Sequence, residues 1–180
     1  MAYRPLWNRR AAAAASLLAL VLLGCKKQVV KVEQTDEEGP HMSSIVHTGD
    51  PKSDTQLING FYGVEQGSWR WTAQKFSVVL RPPAGAAQSG ATLNMQLAVA
   101  DPTINTLKTI TLSANAGTAT LPPETYTQAG PFTYTRDVPA SQLTGETVRI
   151  DFQLDKALPP SGADLRELGV IVKSISLDVK

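Results

Sequence analysis

Two short clusters in this 180-residue chain hold most of the side chains able to do chemistry. The first runs Gly60-Phe61-Tyr62-Gly63-Val64-Glu65 and continues through Ser68-Trp69-Arg70-Trp71-Thr72; the second is Asp164-Leu165-Arg166-Glu167-Leu168-Gly169-Val170. Trp69 and Trp71 stand two apart, so on a strand they share a face and Arg70 points the other way. Exposed, that pair and Tyr62 would offer aromatic surfaces to the C–H faces of sugars. Buried, the pair would be core, because an indole buries a large apolar area. A bulge that turns one indole in and the other out is the third arrangement. Glu65, Arg70, Asp164 and Arg166 are the charged members of the clusters. Pairing among them would tie the first strands to the loop before the last ones, since a guanidinium fork bonds a carboxylate twice. The functional alternative is a polar sugar site in which the same groups bond hydroxyls.

Other chemistries lack their parts. Glu65 with Asp164 would make a glycosidase pair only at a defined carboxylate separation, and nothing in the spacing supplies one. His41 and His47 are the only histidines, both in a polar stretch with Glu37, Glu38 and Asp50. That spacing matches no rigid metal motif, so solvated linker histidines are expected. With no histidine further on, the usual histidine-based triads are unavailable. No glycine-rich phosphate loop follows a strand, and no G-x-S-x-G elbow occurs. The expectation is a non-enzyme with no cofactor and no metal.

Cys25 is the only cysteine, so it has no partner for a disulfide within the chain. Arg4, Arg9 and Arg10 precede an apolar run from Ala11 to Leu23, which is short for a membrane span. Leu22-Leu23-Gly24-Cys25 closes it, with a small residue before the thiol. This arrangement resembles the signal of bacterial lipoproteins. The resemblance implies cleavage before Cys25 and a diacylglyceryl thioether on its sulfur, with fatty acyl chains such as palmitate. Two or more chains give stable anchoring. Lys26, rather than an aspartate, follows, which implies the outer membrane in many diderm bacteria. Lys26 and Lys27 would then touch lipid headgroups. An uncleaved signal-anchor helix is the bland alternative. The Arg9-Arg10 pair alone does not make a twin-arginine signal.

Removing residues 1–24 takes away three of 17 basic residues and none of 16 acidic ones, leaving a net charge of −2. No basic block is large enough for nucleic acid. Residues 25–55 read as a lipidated cysteine and a flexible tether, too polar to offset the entropy of ordering. Residues 56–180 read as one domain.

That domain alternates with a period of two. Phe76 to Leu80, Thr92 to Val99 and Val148 to Leu154 each put apolar residues on one face, as do Ile110 with Leu112, and Phe132, Tyr134 and Arg136 share one face of another strand. Val170 to Val172 and Ile175 to Val179 supply two more short strands. Asn59-Gly60, Ser89-Gly90, Ala116-Gly117, Pro122-Pro123 and Thr144-Gly145 read as turns among them. Ser161 to Gly169 fits a single helical turn. Seven to nine such strands predict an all-β, antiparallel, jelly-roll-like β-sandwich.

Gly60-Phe61-Tyr62, Glu65, Arg70-Trp71, Pro159-Pro160 and Asp164-Leu165-Arg166-Glu167-Leu168-Gly169 together resemble a β-sandwich accessory domain. It occurs in bacterial envelope proteins and appended to glycosyltransferases. The resemblance covers roughly residues 57–179 and implies an architecture like that of carbohydrate-binding modules. The function it implies is a membrane-anchored envelope lipoprotein whose non-catalytic sandwich binds glycan or another envelope polymer, with Trp69, Trp71 and Tyr62 as candidate ligand residues. A protein-interaction or scaffold module of an envelope complex is the other reading.

Overall fold

The computed structural model describes residues 42–180. The signal, Cys25, Lys26, Lys27 and His41 lie outside the described residues.

Nine strands form, as the alternation requires. They are β1 (Ile45–His47), β2 (Leu57–Glu65), β3 (Trp69–Leu80), β4 (Ala91–Val99), β5 (Ile110–Ala116), β6 (Ala119–Tyr126), β7 (Gly130–Val138), β8 (Val148–Leu154) and β9 (Ile171–Val179). In β4, Ala91, Leu93, Met95, Leu97 and Val99 are buried while the residues between them face out. Val148, Ile150, Phe152 and Leu154 do the same in β8. The strand order is β6-β5-β8-β3-β9-β4-β7, with β2 added to β3 and β1 to β9, all antiparallel.

β3 belongs to both layers of this sandwich. Its Arg70 and Trp71 pair with Val172 and Ile171 of β9, whereas Lys75 to Leu80 pair with β8. Between them, Thr72 to Gln74 lie at the fork, where backbone groups need other partners. The segment before β9 supplies them. The Thr72 N–H donates to the Val170 carbonyl at 2.9 Å, and the Gly169 N–H donates to the Thr72 carbonyl at 2.6 Å. The Gln74 N–H donates to the Glu167 carboxylate at 2.7 Å. Gly169 must be glycine here, because a Cβ would stand 2.7 Å from both Thr72 Oγ1 and Leu154 Cδ1.

Across the core, Phe152 stacks on Phe76 with centroids 4.9 Å apart and meets the edge of Tyr134 at 6.4 Å. Tyr134 belongs to β7, so this contact joins the two layers. Arg136, on the inner face of β7, ties that strand to β6. Its Nε donates to the Pro122 carbonyl at 2.6 Å, Nη2 bonds the Glu124 carboxylate at 2.9 Å, and the guanidinium lies 4.3 Å from the Tyr134 ring centre.

Several local expectations change. Asn59-Gly60 is not a turn but a bulge inside β2, where Gly60 takes φ +72° and backs onto Lys75 and Phe76. Pro122-Pro123 lies within β6, at an irregularity opposite β5. The two short C-terminal strands are one bulged strand, β9. Ser161 to Gly169 is not helical: bridges Leu158–Leu168 and Ser161–Asp164 make it a narrow hairpin-like loop. Two short helices, α1 (Ala86–Ser89) and α2 (Asp101–Leu107), fill connections where no helical period was visible. Proline in the first turn of α2 suits a helix start.

The described part of the stretch expected as tether, residues 42–55, is folded. β1 pairs with β9, Val46 is fully buried, and Thr48 Oγ1 donates to the Val172 carbonyl at 2.6 Å. Gln56 stitches the entering chain down. Its Nε2 donates to the carbonyls of Ser43 and Val79 at 2.9 and 2.8 Å, and its Oε1 accepts from the Ser43 N–H at 3.0 Å. One buried valine, strand pairing and polar side chains hold this segment, so a reading based on hydrophobic periodicity passes over it. Gln56→Ala would leave these backbone groups unpartnered and is expected to cost about 1–3 kcal/mol in urea unfolding. An unchanged midpoint would contradict the stitch. No helix among the described residues is long and apolar enough to cross a membrane.

Candidate functional site

Trp69 and Trp71 sit on the outward face of β3: its buried apolar residues Phe76, Val78 and Leu80, with Thr72, take the alternate positions, while Ser77 is buried against Asn59 of β2. Both indoles are half-buried. Their rings meet edge to face, with centroids 6.3 Å apart and planes at 80°. Perpendicular rings cannot make one flat stacking platform. They make a corner that offers one ring face and one ring edge. Trp71, Ile171, Ala98 and Pro131 are register partners in one row across β3, β9, β4 and β7 and so share this outer face.

Two adjoining depressions mark the same face. One, of about 450 Å³, lies among His47, Asp50, Ser68, Gln96, Lys173 and Ser174. The other, of about 300 Å³, lies among Gln96, Ala98, Pro131, Thr133 and Lys173. Gln96 and Lys173 line both, so the two form one groove that crosses β1, β9, β4 and β7. Three strand spacings give it a length of about 14 Å. Towards the other end of the face, polar side chains are engaged with one another. Asn94 Nδ2 donates to Asp178 at 2.8 Å, Thr135 Oγ1 donates to Asn94 Oδ1 at 2.8 Å, and Ser176 Oγ donates to Asp178 at 3.3 Å. In the groove, by contrast, the side chains of Gln96, Thr133, Lys173 and Ser174 make no hydrogen bond among the described residues. Sequence reading missed all four. They are outward positions of strands whose neighbours become known only with the topology.

The charged clusters do a different job. Arg166 Nη1 donates to Glu65 at 2.8 Å, while its Nε and Nη2 grip both oxygens of Asp164 at 3.0 and 2.8 Å. Its guanidinium lies 5.3 Å from the Tyr62 ring centre, and the Tyr62 hydroxyl donates to the Glu167 carbonyl at 2.8 Å. Glu65, Tyr62, Asp164 and Arg166 therefore clamp the loop that fills the β3 fork. Arg70 does not join them. It points inward, where Nε donates to the Thr48 carbonyl at 2.7 Å, Nη1 to the Tyr62 carbonyl at 3.3 Å, and Nη2 pairs with Asp54. Tyr62, with its hydroxyl and ring both engaged, offers a ligand less than the two indoles do.

The Arg166 side-chain hydrogen bonds, followed by its backbone N–H, hold the Asp164 carboxyl down at about 2. Bonds from Asp164 and then Glu65 push the Arg166 guanidinium up. An unfolded aspartate titrates near ~3.9. The Asp164 contribution is thus present above that value and is lost as the pH falls from about 4 to 2. Asp164→Asn is expected to flatten this part of the stability–pH profile. A variant profile parallel to wild type throughout would contradict the clamp.

Among the described residues, no group of three or more His, Cys, Asp or Glu side chains could hold a metal ion. Glu65 and Asp164 share one guanidinium rather than facing each other across an open cleft.

The fold defines an antiparallel β-sandwich with a groove on the outside of one layer. No protein-family model and no curated protein matches the chain. Solved structures similar to it include the CBM36-1 domain of a multidomain xylanase from the hindgut metagenome of Trinervitermes trinervoides. That domain is 12% identical, with 76% of this chain and 96% of that chain covered, at a TM-score of 0.40. Another is described as "CBM4 structure and function", at 15% identity, 76% and 85% coverage and a TM-score of 0.37. Nothing about a ligand follows from likeness at that level.

Proposed function

We propose that this protein is an envelope lipoprotein, anchored through lipid on Cys25, whose non-catalytic sandwich binds a polysaccharide in the groove beside Trp69 and Trp71. One observation carries the reading: unengaged amide, hydroxyl and ammonium groups line an open groove on the face that also bears an aromatic corner. Sugars need both surfaces, an apolar one for their C–H faces and fixed polar groups for their hydroxyls. A groove that crosses four strands suits a chain rather than a single small molecule.

The entry of the chain bears on how an anchored domain would present the groove. Met42 lies beside Arg81, Glu146 and Thr147. From there β1 runs along β9 from Ser176 to Ser174, towards Ile171 and Trp71. Five residues of β9 put the aromatic row about 17 Å beyond the start of β1. An anchor joined through Met42 would leave the Trp71–Ile171 row at the far end of β9.

The protein-docking alternative has its own support in Ile58 and Val64, exposed apolar residues of β2, which pairs with β3 on one side. Affinity electrophoresis of the full chain through gels containing envelope and plant-type polysaccharides separates the two. Retardation by at least one polysaccharide is expected; free migration through all of them favours a protein partner. Metabolic labelling with palmitate tests the anchor. Label is expected on the wild type and absent from Cys25→Ser, and an unlabelled wild type would overturn it.

A further inference from the structure

We propose that the groove is selective for acidic polysaccharides, with a sugar carboxylate seated at Lys173 over the β4–β7 half; this rests on the glycan reading above. The charges on the face are unevenly placed. In the β4–β7 half, among Gln96, Ala98, Pro131 and Thr133, Lys173 is the one charged lining group. It has no ion-pair partner among the described residues, where six other pairs form.

The carboxylates of this face are either engaged or elsewhere. Asp178 accepts from Asn94 and Ser176, and Asp137 pairs with Lys180 at 3.0 Å, both towards the end away from the tryptophans. Asp50 lines the other half of the groove, where its Oδ1 accepts the Lys52 N–H at 2.9 Å and caps a short turn. A sugar carboxylate placed there would meet the Asp50 carboxylate as well as Lys173. Placed over the β4–β7 half, it meets the Lys173 ammonium, with the Gln96 amide and the Thr133 hydroxyl available beside it. An ammonium is a compact charge on a flexible stem and needs no fixed approach angle. The contact is exposed, so it weakens as salt rises.

The test compares pairs of probes that differ only in charge. Full-length wild type and Lys173→Met are titrated with polygalacturonate and alginate, each alongside its methyl ester. Dextran sulfate serves as a control for plain ion exchange. Lys173 exposes its side chain, and its backbone carbonyl still accepts from the Thr48 N–H in the variant, so the fold is retained; the melting temperature checks this. The expected result is at least tenfold tighter binding of one free acid than of its ester, a preference erased by Lys173→Met and reduced by salt. Equal binding of acid and ester, or a preference that survives Lys173→Met, overturns the inference and leaves the glycan reading standing. Binding of a neutral glucan alone does the same. Dextran sulfate bound as tightly as the uronates, and insensitive to Trp71→Ala, also overturns it, as ion exchange. If no polysaccharide binds, both fall together.

Discussion

Phe152→Ala is expected to lower the unfolding free energy by about 3–5 kcal/mol, the range for deleting a buried aromatic ring. That is a large share of the roughly 5–15 kcal/mol that holds a typical domain folded. The reason is position as much as size. Phe152 is almost fully buried, stacks on Phe76 within its own layer and takes the edge of Tyr134 from the opposite one. Removing it opens a cavity bounded by two rigid strands, which cannot collapse far. It also deletes two aromatic contacts worth about 0.5–1.5 kcal/mol each beyond burial. Urea unfolding monitored by circular dichroism measures the loss. A cost below about 1 kcal/mol would mean that the layers are not joined through this ring.

Trp71→Ala is expected to weaken polysaccharide binding by about 30-fold, equivalent to about 2 kcal/mol, as for a central aromatic contact in an interface. Trp71 shares its row with Ala98 and Pro131 at the floor of the groove, two and three strands away or about 10 and 14 Å. The ring lies on the outward face and is only half-buried, so its loss bears on binding more than on folding. Trp71→Phe keeps an aromatic face and is expected to recover part of the affinity. If Trp71→Ala binds like wild type while remaining folded, the aromatic corner is not part of the site.

How far these features were legible in the residues varies with what each depends on. β4 and β8 could be read directly, because one face of each meets only core and the alternation is clean. β1 could not: a single buried valine between two exposed residues carries no period, and the strand is held by pairing with β9 and by the bonds of Thr48 and Gln56 on either side of it. Asn59-Gly60 has the composition of a hairpin turn, yet a β-bulge needs the same positive φ. The loop after Pro160 lacks any apolar period, and its shape follows from the fork in β3 that it fills. The shared face of Trp69 and Trp71 followed from their spacing alone. Their exposure did not, since it depends on which side of β3 meets the second layer. The charged residues could be grouped, but Arg70 could not be assigned its partners, because Thr48 and Asp54 stood in a stretch that looked like tether. The groove was invisible because it depends on strand order. Gln96, Thr133, Lys173 and Ser174 are ordinary outward strand residues until the order β9-β4-β7 brings them together.

The most direct test of the account is a fluorescence titration of the full chain carrying Trp7→Phe, which leaves Trp69 and Trp71 as its only indoles. Neutral and acidic polysaccharides are added in turn. The account predicts a saturable change in intensity or emission maximum with at least one of them, lost in Trp71→Ala. A spectrum unmoved by every polysaccharide, from a protein whose circular dichroism shows it folded, would contradict it.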